Sequence, residues 1–233
     1  MDLLQPLFDL LFPPRCRICR SFLRGEKEKF LCTRCAELIL NPADCCRYCG
    51  YPLDKEKKFC DFCVRQNFAF AGVCAVSRYH GPFKKAIQRF KYTGHLELAS
   101  VFGKLLAQQV RQRNWPQVEV LVPIPLHPKK LWQRGYDQSQ LLAEAMAQEL
   151  KIPGQNLLER KRYTVSQTEL SAGERWQNMN NAFTAVEKQA MPSCVLLVDD
   201  LLTTGATAHF AALALRRAGV KEVYLAVIAR AVK

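Results

Sequence analysis

The stretch VLLVDDLLTTGAT, Val195 to Thr207, decides how the rest of the chain reads. Its opening run of apolar residues, with Cys194 in front, predicts a strand over 194–198 buried on both faces, as in the centre of a parallel sheet. Asp199 and Asp200 follow at its carboxyl end, where open parallel sheets place their ligands. Residues 201–207, from Leu201 and Leu202 through Thr203 and Thr204 to Gly205, Ala206 and Thr207, read as a loop turning into a helix near Ala206. Gly205 permits a left-handed or closely approached backbone, three threonines offer hydroxyls, and the loop amides and helix N-terminus would face an anion. The loop therefore suits a phosphate, whereas two acids repel one. A single ligand bearing a phosphate and a vicinal diol reconciles them: carboxylates accept hydrogen bonds from hydroxyls, and a nearby Mg²⁺ offsets their charge. A pentose 5-phosphate fits, with its phosphate in the loop and its ring hydroxyls on Asp199 and Asp200.

Working outward, the flanking sequence alternates in type. Strands are expected at 73–79, 118–125, 182–186 and 222–229, and helices at 83–92, 98–113, 137–150 with Asp137 as N-cap, and 206–219 stopped by Gly219. Alternation of this length implies an α/β fold, an open parallel sheet with right-handed crossovers. The polar, aperiodic residues 160–178 read as a long loop. An acid pair after an apolar strand also occurs in P-loop nucleotidases, but the chain has no Gly-x-x-x-x-Gly-Lys-Ser/Thr segment. An ordinary acidic helix cap needs neither two acids nor three threonines and a glycine in this order.

The chain has 233 residues, 49% of them hydrophobic and 24% charged, an ordinary globular balance with length for one or two domains. No run approaches the roughly 18 apolar residues that span a bilayer. The N-terminal MDLLQPLFDLLFPP is interrupted by Asp2, Pro6 and Asp9 and lacks a basic lead, so it reads as a short amphipathic helix rather than an export signal. The expected compartment is the cytoplasm. Formal charge is +13: Lys+Arg against Asp+Glu is 12 and 9 in residues 1–72, 15 and 6 in 73–165, and 7 and 6 in 166–233. The middle third carries most of the excess, which suits nucleic acid or polyphosphate.

Eight of the 11 cysteines form four Cys-x-x-Cys pairs: Cys16 and Cys19, Cys32 and Cys35, Cys46 and Cys49, Cys60 and Cys63. A two-residue gap turns both sulfurs toward one metal, and a second pair completes a tetrahedron, so four pairs make two four-thiolate Zn²⁺ sites. Such closed sites are structural. Sequential pairing gives two stacked zinc ribbons; interleaved pairing is equally compatible with the spacing. Redox dithiols are the competing reading, and Cys45, Cys74 and Cys194 are assigned to packing. Eight thiolates with two Zn²⁺ add −4, lowering the net charge to about +9. Residues 1–70 are too few to build much core, so metal would supply much of their folding energy, as a double zinc-ribbon attachment ahead of a domain over 71–233.

Across all thirteen positions, VLLVDDLLTTGAT resembles the phosphoribosyl-pyrophosphate-binding signature of type I phosphoribosyltransferases. With the cysteine knuckles in front, and with FKYTG (90–94), VPIPLHPKKLWQRGYDQS (122–139) and TVSQTELSAGERWQNMNNAF (164–183), nearly the whole chain resembles the ComF/GntX family of ComFC-type competence proteins. Where that family usually has Arg-Gly-Phe-Asn-Gln, this chain has Arg134, Gly135, Tyr136, Asp137 and Gln138, adding a negative charge beside the expected polyphosphate pocket. The resemblance implies a pyrophosphate loop carrying Lys129, Lys130 and Arg134. His127 either contacts the diphosphate or holds the turn through a backbone hydrogen bond. Lys91 could point into the same cleft, but at a helix end a solvated lysine is the favoured reading. The resemblance also implies a flexible lid with Arg162, Thr164, Gln167 and Arg175, which would exclude water while the glycosidic carbon becomes cationic; a basic connector is the plainer alternative.

Three functions are compatible with these residues. One is an accessory factor for DNA uptake and natural transformation that binds phosphoribosyl pyrophosphate with Mg²⁺, contacts single-stranded DNA and works with competence or recombination machinery. A second is an active, amidophosphoribosyltransferase-like enzyme of nucleotide metabolism. The third is a zinc scaffold that retains the fold alone. No nucleobase-recognition hood is evident, so no acceptor is assigned and enzymatic activity stays open.

Overall fold

In the computed structural model the described residues are 13–23, 30–41, 44–53, 57–60, 63, 67–161, 176, 179, 181–186 and 190–231. The N-terminal helix expected over the first residues falls almost wholly outside them. So do Arg162, Thr164, Gln167 and Arg175 of the expected lid.

A short helix, α1 (Thr33–Ala36), lies in the cysteine-rich front. The chain then runs through β1 (Gly72–Arg78), α2 (Gly81–Tyr92), α3 (Leu98–Arg111), β2 (Val120–Pro123), α4 (Pro128–Arg134), α5 (Gln138–Leu150), β3 (Leu158–Arg160), β4 (Phe183–Ala185), β5 (Cys194–Leu202), α6 (Ala206–Arg217) and β6 (Glu222–Arg230). Four strands form a parallel sheet in the order β1-β6-β5-β2, and β3 and β4 pair as a separate antiparallel hairpin. The register sets Val195 beside Val120 and Val223, and Val198 beside Pro123 and Ala226, so β5 is central.

Alternation along β5 divides its side chains between two cores. Leu196 and Val198 pack with α2, α3 and α5, through Phe83, Phe90, Phe102, Leu105 and Leu142. Val195 and Leu197 pack with α6 and the small hairpin, through Ala211, Leu215 and Phe183. In α3, Leu98, Val101, Phe102, Leu105 and Leu106 follow helical spacing and are buried. Gly103 on that stripe lets α5 approach: a Cβ there would lie 2.5 Å from Ala145 Cβ. Each cysteine group joins one core. Cys16, Cys32 and Cys35 pack with the first, and Cys46, Cys49, Cys60 and Cys63 with the second. The metal-binding front therefore covers both faces of the sheet instead of standing apart as an attachment.

Three local expectations change. Strand β5 runs on through Leu202, so Asp199 and Asp200 lie within it and the loop shrinks to Thr203–Gly205; pairing to β6 continues through Leu202↔Arg230 and holds the segment extended. The PIPLHPKK turn gives way to helix α4, started by Pro128 at its first turn and ended by Gly135 at φ +77. The strand expected at 182–186 does form, as β4, but beside β3 and outside the main sheet.

Candidate functional site

The two cysteine groups are built alike. Each begins with a knuckle in which the residue after the second cysteine takes a left-handed backbone, Arg20 at φ 67 and Gly50 at φ 65. That residue's amide donates to the first cysteine's carbonyl, Arg20 to Cys16 at 2.8 Å and Gly50 to Cys46 at 2.9 Å. The second pair arrives on a tight turn, with Cys35 N on Cys32 O and Cys63 N on Cys60 O. The ligand sets are sequential: the sulfurs of Cys16, Cys19, Cys32 and Cys35 lie within 4.8 Å of one another, and so do those of Cys46, Cys49, Cys60 and Cys63. Cys19 and Cys32 Sγ are 3.6 Å apart, as are Cys49 and Cys60 Sγ, close to the roughly 3.8 Å edge of a tetrahedron with Zn–S bonds of about 2.3 Å. Cys46 is held far below the usual thiol range by hydrogen bonds from Cys49 and Cys63, while contacts with Cys46 and Cys49 push Cys63 far above it. Four crowded thiols cannot all ionise without a cation at their centre, and a tetrahedral dication removes that conflict. Cys45, Cys74 and Cys194 are buried outside both groups.

The second site lies at the carboxyl edge of β5 and β2. Helix α2 brings Lys91, whose Nζ is 2.9 Å from Asp200 Oδ1 with the lysine side chain 17% exposed. It is therefore not a solvated lysine: it flanks the stripe of Phe83, Ile87 and Phe90 that turns α2 toward the sheet. Helix α5 brings Ser139, whose Oγ donates to Asp199 Oδ1 at 3.3 Å, and the Asp200 amide donates to the same oxygen at 2.8 Å. Burial and the adjoining Asp200 push Asp199 up to about 7, with Lys91 opposing them. Two acids thus share one close cation.

Beyond the acids, Gly205 caps α6 at φ 87 and its carbonyl accepts from His209 N at 2.8 Å. Thr203, Thr204 and Thr207 are partly exposed around the helix start. Leu202 is buried and Leu201 half-buried, leaving backbone as their contribution to that loop. Arg230, buried on β6, donates to the carbonyls of Leu202 and Thr203 and fixes the loop from beneath. Phe68 covers Gly205 from the opposite side: a Cβ on that glycine would lie 2.7 Å from Phe68 Cε1.

Helix α4 and the turn into α5 follow the carboxyl end of β2, the strand beside β5. His127 Nδ1 accepts from Lys129 N at 3.2 Å, so its ring caps α4. Burial and the neighbouring Arg160, Arg134 and Lys91 bring Lys130 down to about 8. Arg134 donates to Gln138 at 2.9 Å and lies over the Tyr92 ring. Asp137 directs both oxygens at backbone: Oδ1 accepts from Ser139 N and Gln140 N, and Oδ2 from Leu126 N at 2.8 Å. The additional carboxylate is thereby committed to three amides. The Tyr136 hydroxyl donates to Phe90 O at 2.6 Å and ties this turn to α2.

Lys91, Ser139, Arg160, Arg230 and Phe68 were not singled out from sequence as site residues. The position of Lys91 four residues after buried Ile87 was the available signal; the others depend on contacts between distant segments.

A double zinc front on a parallel α/β domain with this acid pair and loop defines a phosphoribosyltransferase-type protein. Residues 7–64 match the double zinc ribbon domain and residues 137–232 the phosphoribosyl transferase domain. The chain is 34% identical over 226 residues to Competence protein F of Haemophilus influenzae, spanning 93% of this chain and 97% of that protein. It is 30% identical to the DNA utilization protein YhgH of Salmonella typhi over 92% of this chain and 96% of that one. It is 29% identical to Competence protein ComFC of Bacillus subtilis over 85% and 82%. The chain belongs to the ComF/GntX family.

Among the described residues, no helix is long and apolar enough to cross a membrane.

Proposed function

We propose that this chain binds phosphoribosyl pyrophosphate with Mg²⁺ at the carboxyl edge of β5 and acts in the cytoplasm as an accessory factor for DNA uptake and natural transformation, contacting single-stranded DNA and passing it toward competence or recombination machinery. The observation that carries the ligand is that the acid pair and the basic helix α4 stand at the carboxyl ends of adjacent strands, acids on β5 at one end and cations after β2 at the other. Asp199 and Asp200 share Lys91, and burial with the adjoining Asp200 raises the Asp199 pKa to about 7. Burial, with Arg160 and Arg134 nearby, lowers the Lys130 pKa to about 8. A sugar diphosphate carrying Mg²⁺ relieves both ends at once. Asp199 and Asp200 would receive the ribose hydroxyls, Thr203–Thr207 the 5-phosphate, and Lys130 with Arg134 the diphosphate. Mg²⁺ would neutralise part of the diphosphate charge.

The DNA role is supported by the names of the relatives and by the +9 excess of residues 73–165. Eleven cysteines, none in a disulfide, fit a reducing compartment. Residues 1–70 would serve as the zinc module and 71–233 as the phosphoribosyl domain, the two acting as one packed body. A second reading, an active phosphoribosyltransferase, is favoured by the same cations, since Lys130, Arg134 and Arg160 surround the place where a departing diphosphate would collect charge.

Calorimetric titration tests the reading. Phosphoribosyl pyrophosphate with Mg²⁺ should bind wild type and lose at least tenfold in affinity for Asp199→Ala/Asp200→Ala, a difference of about 1.4 kcal/mol or more. Equal affinity for both proteins would refute the site. Fluorescence anisotropy with a labelled oligonucleotide should show single-strand binding that weakens steeply with salt. Diphosphate release that depends on an added nitrogenous acceptor would favour the enzyme reading.

A further inference from the structure

A separate groove opens between the first cysteine group and the outer face of α2. Its volume is about 1300 Å³, and its walls carry Arg20, Phe22 and Arg34 on one side and Lys85, Arg89 and Tyr92 on the other. Among the described residues, four cations line it and no carboxylate does. The two aromatic rings are open: Phe22 is 52% exposed and Tyr92 64%. Each already has a guanidinium against it, Arg15 4.3 Å from the Phe22 centroid and Arg134 5.1 Å from that of Tyr92.

The groove's shape is built in. Arg89 is half-buried and donates to the carbonyl of Ile18, locking the first knuckle onto α2, while Arg20 reaches His95 just past that helix. Gly81 and Pro82 form the floor at the helix start, and Pro82 supplies no amide that the groove would leave unpaired.

We propose that this groove is the track for single-stranded DNA. The inference rests on the DNA-handling reading above and adds its location. Cations spaced along a groove follow a phosphate backbone, and exposed rings between them stack on bases, whose π-faces single strands present and duplexes hide. An acidic peptide would use the cations and leave both rings idle. A lipid surface needs a protruding apolar face, which a recessed groove is not. Tyr92 also links the track to the cleft, since Arg134, stacked on its ring, belongs to α4.

The test compares zinc-loaded wild type with two charge-matched double reversals, using labelled dT20, rU20 and a 20-base-pair duplex in anisotropy titrations over a salt series. Arg34→Glu/Lys85→Glu acts in the groove; Arg217→Glu/Lys221→Glu acts at the far end of α6 and the loop before β6. The groove variant should lose at least 20-fold in dT20 affinity and lower the salt slope by about 1.4, the loss of two single-strand phosphate contacts. The α6 variant should stay within threefold of wild type. Lys85→Glu/Tyr92→Ala, which leaves the cysteine knuckles untouched, should lose a similar factor with a smaller change in slope. Zinc content must stay at two ions per chain in every variant compared. Equal dT20 affinity for the groove and α6 variants, with wild type binding well, would overturn the groove and leave the DNA reading standing. Failure of wild type to bind any of the three probes would overturn the DNA reading itself. Tighter binding of the duplex or of rU20 than of dT20 would overturn single-stranded DNA as the occupant.

Discussion

Replacing Gly205 by alanine should damage the loop that starts α6 by two separable routes. The backbone there holds φ at 87, and a left-handed conformation costs a residue with a Cβ about 1–2 kcal/mol. The new methyl would also stand 2.7 Å from Phe68 Cε1 and 3.2 Å from its Cζ. Phe68 has little room to retreat, because it stacks on Phe70 at 4.6 Å and adjoins Trp176 and His209. Overpacking of that kind costs about 1–3 kcal/mol. The sum, about 2–5 kcal/mol, is a large share of a typical folding stability of about 5–15 kcal/mol. Urea denaturation of the zinc-loaded protein should show a lowered midpoint with an unchanged slope. The double variant Phe68→Ala/Gly205→Ala separates the routes: the clash vanishes and the backbone strain stays, giving a favourable coupling of about 1–3 kcal/mol in the mutant cycle. A coupling within about 0.5 kcal/mol of zero would show that Phe68 does not press on the loop. Ribose 5-phosphate affinity should fall at least tenfold in Gly205→Ala, because the cap that aims the α6 amides has moved.

Four further outcomes follow from the same geometry. Chelation should lower the thermal midpoint by about 10 °C or more, because each cysteine group belongs to one of the two cores, and metal analysis of the untreated protein should give two zinc ions per chain. Asp199, raised in the folded state to about 7, favours folding below the unfolded carboxyl pKa near 3.8, and that contribution is lost as pH rises through about 7; urea midpoints should fall over that window, and Asp199→Asn should flatten the decline. Lys91→Met should cost about 3 kcal/mol at neutral pH by leaving Asp200 without its cation, and Lys91→Met/Asp200→Asn should recover most of that loss in the same urea assay. Asp137→Ala should cost about 2 kcal/mol by uncapping α5 and orphaning the Leu126 amide, and Asp137→Asn should not tighten diphosphate binding in calorimetry, since the carboxylate is turned toward backbone.

What the sequence made legible was whatever a repeating local rule writes into it. The parallel sheet followed from the double-sided apolar run of Cys194–Val198 and its alternation with helices, and the metal groups from cysteine spacing alone. Sequential cysteine pairing was not legible, because both pairings satisfy the same spacing; the twin knuckles at Arg20 and Gly50 decide it in three dimensions. The end of β5 was misjudged since Asp199 and Asp200 look like loop residues, whereas ladder pairing to Val227 and beyond keeps them extended. Helix α4 was hidden by Pro123, Pro125 and Pro128, although proline at a first helical turn followed by Gly135 is also how a short helix is written. Strands of three residues, as in β3 and β4, are too short for any period to show. Lys91 was discounted as a surface cation because lysine is rarely buried without a partner, and its partner lies more than a hundred residues away.

That last case explains how the site can keep two adjacent acids beside the loop proposed to hold a phosphate. Lys91 is close enough to neutralise Asp200 and still contributes to lowering the pKa of Lys130, so one ammonium feels both ends of the cleft. Were the acids and the cations of α4 in direct contact, they would cancel and leave nothing for a ligand to satisfy. Instead Asp137, the carboxylate nearest the cations in sequence, is taken up by the amides of Leu126, Ser139 and Gln140. Ser139 and the Asp200 amide orient Asp199 without neutralising it. The fold thus keeps Asp137 and Asp199 apart from the α4 cations by giving both carboxylates neutral donors. The sugar diphosphate proposed above would make that separation favourable, because its hydroxyls and phosphates would meet the acids and the cations together.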